Sequence, residues 1–264
     1  MSYLPVKAVS LLIGLLFMFS SCEKKPEEKT VAGLHSLKYS IVGTLPHDQK
    51  AFTEGLVIHH DKILEGTGQY NQSWLAEIDP NTSGAEKKVI LDGQYFGEGV
   101  TVLNEKIYQL TYREKVGFIY QSTDYKKLGE FRYSTEGWGI THDGKNLIMS
   151  DGTDKLYFLD TINFEVIRTL PVTDPSGARL KNLNELEYVN QYIFANVYET
   201  PLIVKIDPIS GKVVGELDLS TITSEITRMY PGAYELNGIA YDKKLNALLV
   251  TGKFWPKYYL IRIY

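Results

Sequence analysis

Beyond residue 37 the chain is a succession of short apolar stretches with polar turn residues between them. They fall at 38–45, 56–59, 62–65, 74–78, 106–112, 118–121, 146–150, 156–160, 192–196, 203–206, 247–251 and 258–263. Most alternate apolar with polar positions or are rich in β-branched and aromatic residues, and both patterns predict strands. Asp79-Pro80-Asn81, Asp143-Gly144-Lys145, Asp207-Pro208 and Asp242-Lys243 supply turns between them. No segment sustains a long 3.6-residue period; Ser220–Met229 is the best candidate for a short helix.

The strands come in groups. Thr53-Glu54-Gly55-Leu56, Gly97-Glu98-Gly99-Val100, Gly137-Trp138-Gly139-Ile140, Asn184-Glu185-Leu186-Glu187 and Leu236-Asn237-Gly238-Ile239 align on Gly55, Gly99, Gly139, Leu186 and Gly238. The intervals are 44, 40, 47 and 52 residues. After each frame come a strand, a turn, a second strand and a third strand that ends in a short turn. Several strands per repeat at this period predict a β-propeller, here all-β with five blades. The last repeat runs out of chain after three strands, whereas 35–45 precedes the first repeat with no unit of its own. That segment is expected to supply the missing outer strand of the last blade, which closes the ring and covers two sheet edges. Residues 35–264 thus form one predicted domain.

The first residues belong to a different regime. In 1–22, Lys7 precedes an apolar run, then Ser20, Ser21 and the sole cysteine, Cys22. This is the layout of a secretory signal, too short for a good membrane span. With cysteine at the cleavage point it resembles a bacterial lipoprotein signal, which implies lipidation of Cys22. Residues 23–34 open with the charged run EKKPEEKT and read as a flexible tether. The expected location is the bacterial cell envelope, periplasmic or on the outer surface, with the membrane touched through the lipid alone. A single cysteine also excludes an intrachain disulfide framework. The net charge of −4, from 28 basic and 32 acidic residues, argues against nucleic acid as a partner.

In a propeller the first strand of each blade lines the axis, and ligands bind where loops gather at one end. The aligned frame places Phe52, Glu54, Phe96, Glu98, Trp138, Asn184, Glu185 and Asn237 at those strand starts. Tyr112 follows Glu98 by 14 residues and Tyr198 follows Asn184 by 14, so both should end a second strand at equivalent places. Lys253, within Thr251-Gly252-Lys253-Phe254-Trp255-Pro256, holds that place in the last blade. Aromatic walls exclude water, and a carboxylic acid among them keeps its proton near neutral pH and can act as general acid or base. A Lys or Asn amide can stabilise an oxyanion. Acids and aromatics at such positions can also simply tie blades together.

On these residues the chain resembles the plant- and bacterial-type glutamine cyclotransferases (glutaminyl-peptide cyclotransferases). The matching pieces run in order through the folded part: Phe52-Thr53-Glu54-Gly55-Leu56, Phe96-Gly97-Glu98-Gly99-Val100, Gln109-Leu110-Thr111-Tyr112, Gly137-Trp138-Gly139-Ile140, Leu183-Asn184-Glu185-Leu186, Ala195-Asn196-Val197-Tyr198 and Gly252-Lys253-Phe254-Trp255-Pro256. The resemblance implies a five-bladed propeller that converts an N-terminal glutaminyl residue of a peptide or protein to pyroglutamate (5-oxoproline) and releases ammonia, without a cofactor. It implies Glu98 as acid and base, and Asn184 and Lys253 in orientation and oxyanion stabilisation. Phe52, Glu54, Phe96 and Trp138 match the pocket lining, with Tyr112 and Tyr198 as walls where the family favours Trp. Glu54 stands where the plant form has Gln.

Other constellations are weaker. His59 and His60 are adjacent, so within a strand their rings should point to opposite faces. No His-x-x-x-His or Cys/His spacing occurs, so no metal site is expected. Two other functional readings stay open at this level. One is a metal-dependent, lactonase-like hydrolase using Glu54, Asn184 and a further carboxylate; the other is a non-catalytic propeller that binds peptide or glycan. A monomer is expected.

Overall fold

The computed structural model describes Met1, Ser2 and residues 35–264; residues 3–22 of the leader with Cys22, and the tether at 23–34, lie outside the described residues. Two strands, β1 (His35–Ser36) and β2 (Tyr39–Pro46), precede the first blade. Blade one is β3 (Thr53–His59), β4 (Lys62–Thr67), β5 (Trp74–Ile78) and β6 (Ala85–Ile90). Blade two is β7 (Gly97–Leu103), β8 (Lys106–Thr111), β9 (Val116–Gln121) and β10 (Lys127–Arg132). Blade three is β11 (Ile140–His142), β12 (Leu147–Ser150), β13 (Lys155–Leu159) and β14 (Val166–Pro171). Blade four is β15 (Leu183–Val189), β16 (Tyr192–Val197), β17 (Leu202–Ile206) and β18 (Val213–Asp218). After the helix α1 (Ser220–Met229), blade five takes β19 (Leu236–Asp242), β20 (Ala247–Gly252) and β21 (Lys257–Ile263). The five sheets stand around an axis in a five-bladed β-propeller, as the repeat predicts; three are meanders in chain order, and the other two each take an N-terminal strand at their outer edge.

The ring is closed by the N-terminal strand. β2 pairs antiparallel with β21, from Tyr39 opposite Ile263 to Pro46 opposite Lys257. The expected strand at 35–45 is nevertheless two strands. β1 pairs in parallel with β18, His35 opposite Gly215, so the chain crosses from the outer edge of blade four to that of blade five. Between them Leu37 turns inward against Gly215 and joins the apolar layer beneath.

Each pair of neighbouring blades encloses its own apolar cluster, and there are five clusters for five junctions. The one between blades four and five also takes Ile222 and Ile226, the i, i+4 face of α1. Inner strands are buried on both faces; every residue of β7 is buried. Outer strands are not, and β6 (AEKKVI) is exposed at every position but one.

Glycine permits the inner strands to meet. A Cβ on Gly99 would lie 2.7 Å from both Ile140 N and Trp138 O, and one on Gly139 would lie 2.7 Å from Glu185 Cα. On the axis, Glu185 accepts from Leu56 N (3.2 Å) and Ile239 N (2.8 Å), joining blades one and five to blade four. Glu185 therefore ties blades and stands outside the pocket described below.

The two adjacent histidines depart from expectation. His60 and Asp61 form the two-residue turn between β3 and β4, with φ of 47° and 63°. That left-handed backbone, the geometry of a type I′ hairpin, swings the His60 ring beside His59. The ring centroids lie 4.0 Å apart rather than on opposite faces.

Candidate active site

Residues before or at the start of inner strands, and residues just past second strands, converge at one end of the axis. Phe52, Glu54, Phe96, Glu98, Tyr112, Trp138, Asn184, Tyr198 and Lys253 together line one cavity of about 190 Å³. All nine side chains expected from sequence are brought together there. The volume is below the roughly 300–1,000 Å³ of sites for drug-sized ligands, so it suits a single residue of a larger substrate.

The wall is a belt of aromatic contacts. Phe52 meets Phe96 at 6.1 Å, Phe96 meets Tyr112 at 5.8 Å, Tyr112 meets Trp138 at 6.4 Å and Trp138 meets Tyr198 at 5.5 Å between centroids. Lys253 closes the belt, its Nζ 4.5 Å from the Phe52 ring centre and 5.2 Å from that of Tyr198. Cation–π attraction of this kind holds an ammonium in a half-apolar place. The belt is braced from outside. Trp138 Nε1 donates to Glu136 (3.1 Å), Arg113 pairs with Glu136 (3.3 Å), and Arg113 donates to the Tyr112 hydroxyl (3.2 Å). The hydroxyl that Tyr112 adds, relative to Trp, is thus used for bracing.

Charge sits on the cavity floor. Lys253 Nζ lies 2.9 Å from Glu54 Oε1, and Asn237 Nδ2 donates to Glu54 Oε2 at 2.8 Å. Burial pushes Glu54 up to about 7, against the pull of Lys253 and of the Asn237 hydrogen bond. Burial alone would lower Lys253, but the charges of Glu54 and Glu98 raise it. Glu98 is held well above the ordinary carboxylate range, by burial first and by the charge of Glu54 second. The cavity therefore holds an ammonium beside Glu54 and, at Glu98, an acid biased toward its protonated form. Asn184 is placed by its backbone, whose carbonyl accepts from the Ser150 hydroxyl at 2.7 Å; its Oδ1 is buried with no partner. A buried amide oxygen without a donor is set to receive one from substrate.

A second buried network lies behind the floor. His47 faces Glu65 (2.9 Å) and the Trp255 carbonyl (2.7 Å), while Thr53 and Tyr258 donate to Glu65 at 2.6 and 2.7 Å. Burial would raise Glu65, but the His47 charge and these hydrogen bonds hold it below its ordinary value. Thr53 precedes Glu54 and Trp255 follows Lys253 by two residues, so the network fastens both arms of the Glu54–Lys253 pair. The contacts of this network that join blade five to the N-terminal segment and to blade one were not legible in the sequence, because they depend on ring closure.

The metal-hydrolase reading does not survive this geometry. Its ion would need Glu54, and the carboxylate of Glu54 already has a cation, Lys253, at 2.9 Å. A roomier groove, about 270 Å³, opens between blades four and five. Its one charged lining residue, Lys205, lies over the Tyr192 ring, and it holds no acid to work with it.

Fold and pocket define a class: a β-propeller transferase that sets a proton-holding acid beside a buried cation within aromatic walls. The chain belongs to the glutamine cyclotransferase family, whose model matches residues 13–263. It is 35% identical over 269 residues to the glutaminyl-peptide cyclotransferase of Arabidopsis thaliana, covering 98% of this chain and 82% of that one. The crystal structure of Myxococcus xanthus glutaminyl cyclase matches with a TM-score of 0.81 at 31% identity, over 87% of this chain and 98% of that chain.

Proposed function

We infer that the chain is a glutaminyl-peptide cyclotransferase, acting on the N-terminal glutamine of peptides or proteins. The observation that carries the reading is Glu98, a buried carboxyl that lines one small cavity with the Lys253–Glu54 pair in a member of this family. In the reaction the substrate α-amine attacks the side-chain carboxamide carbon. A C–N bond forms, the carbonyl oxygen takes on negative charge, and collapse expels the original amide nitrogen as ammonia. The attacking nitrogen must lose a proton and the leaving nitrogen must gain one. Glu98 serves both, giving its proton to the leaving nitrogen and recovering one from the attacking nitrogen, a role worth roughly 10²–10⁴ in rate.

Lys253 faces the oxyanion, and Asn184, accepting through Oδ1, orients the carboxamide by its N–H; a donor such as Lys253 is worth roughly 10²–10³. The aromatic belt keeps water from competing. It also holds the side chain curled toward its own amine, so that ring closure proceeds from a near-attack geometry. Incubation with a Gln-initiated peptide should yield a product lighter by one ammonia in mass spectrometry. Glu98→Gln should abolish that product while circular dichroism stays unchanged; full activity in this variant would remove Glu98 from the mechanism.

We further propose that the enzyme is an envelope lipoprotein and acts as a monomer. The sole cysteine standing at the end of a signal-like leader, followed by a charged tether, supports the anchor. Fatty-acid labelling of the expressed chain should be lost in Cys22→Ser; label retained in that variant would refute the anchor.

A further inference from the structure

We propose that His59, His60 and Glu105 form a binding site for a borderline-soft divalent transition ion, with Zn²⁺ as the probe, which clips blade one to blade two at the hairpin end of the propeller. The site is separate from the pocket. His59 follows Glu54 by five residues of one strand, which is about 17 Å of extended chain.

Two tight turns create it. The β3–β4 turn is His60-Asp61 and the β7–β8 turn is Asn104-Glu105, and all four residues have left-handed backbones, with φ of 47°, 63°, 51° and 56°. The first turn brings two imidazoles together; the second, on the neighbouring blade, brings a carboxylate to meet them. His59 Nε2 is 3.3 Å from Glu105 Oε2, and His60 Nε2 is 3.1 Å from Oε1. All three donor groups offer a ligand atom within 4.8 Å of the others.

Those spacings suit a metal. Four ligands at the usual zinc distances of 2.0–2.2 Å in a tetrahedron stand about 3.3 Å from one another. Both measured nitrogen–oxygen separations fall near that value, each to a different oxygen of Glu105, so a turn of the carboxylate brings the three groups around one ion. The ligand set is also selective. Two imidazoles and one carboxylate suit zinc, nickel or copper, and do not suit calcium or magnesium, which take oxygen. The Ser122 hydroxyl donates to Glu105 Oε2 at 2.8 Å and orients the carboxylate, as outer partners of metal ligands do. The His60 side chain is 72% exposed, which leaves a path for the ion and room for water at the remaining position.

The test uses the full chain, stripped with a chelator, and Zn²⁺ alone. Calorimetry should show saturable binding of one equivalent, and Zn²⁺ should raise the melting temperature because only the folded chain assembles the site. His60→Ala and Glu105→Gln, both at exposed turns, should each weaken binding about tenfold or more. Conversion of a Gln-initiated peptide should be unchanged in both. Absence of a saturable one-equivalent phase, or affinity unchanged from the unsubstituted chain in both variants, would overturn the proposal and leave an ordinary imidazole–carboxylate pair.

Discussion

At the scale of single residues, Glu54 sets the working pH of Glu98. Burial raises Glu98 first, the charge of Glu54 raises it further, and Lys253 pulls it down. Glu54→Gln removes the raising charge and frees Lys253 to act on Glu98 alone, so both changes lower Glu98. Activity that needs the protonated acid is lost as pH rises through its titration. In Glu54→Gln the alkaline limb of the kcat profile should therefore move to lower pH, as read with a Gln-initiated peptide across the neutral range. An unmoved limb would mean that Glu98 does not govern it. The nine lining residues were legible because each recurs at a fixed place in the repeat, as Tyr112 and Tyr198 do at 14 residues past their frames. Asn237 was legible as an axial residue, but its hydrogen bond to Glu54 was not. That bond joins positions 183 apart in sequence and follows from ring closure alone.

At the scale of elements, most of the strands that sequence revealed bury side chains, although β2, at the ring's closure, is largely exposed. β5, α1 and β21 stand where the apolar pattern puts them, to within a residue. The outer strands β6, β10 and β14 are largely exposed, so no apolar pattern marks them; β14 is exposed at all but one position. Likewise the parallel pairing of β1 with β18 spans two residues, too short for any periodicity to show. The inner strands carry a sharper constraint. Gly139 abuts the backbone of Asn184 and Glu185, so a Cβ there has rigid main chain in its way. Gly139→Ala should cost about 1–3 kcal/mol of stability, the range of an overpacked core, in urea unfolding. Because the displaced backbone carries Asn184, kcat/KM on a Gln-initiated peptide should fall in the same variant. An equivalent loss of stability with full activity would separate Asn184 from the chemistry.

At the scale of the whole molecule, a ring without disulfides is held by five apolar junctions, by β2 zipped onto β21, and by carboxyl groups on the axis. The axial acids give stability a pH dependence with a definite sign. Burial and the charge of Glu187 push Glu185 well above the ordinary range. Burial pushes Glu187 up to about 8. In the unfolded chain both acids release their protons near pH 4.3. Between there and about 8 the folded chain binds more protons than the unfolded one, so stability falls as pH rises, by up to roughly 1.4 kcal/mol per pH unit for each acid. Below the unfolded value the contribution is fully present. Glu65, held low by His47, works in the opposite direction, losing stability as pH falls through its titration, and this sets the acid side of the maximum. Melting temperature should therefore peak in mildly acid solution and decline toward pH 8. Glu187→Gln should flatten that decline in two ways, by removing one titration and by withdrawing the charge that raises Glu185. A melting temperature that is level from pH 5 to pH 8 in the unsubstituted chain would show that the axial carboxyls ionise without cost and that the ring is held by packing alone.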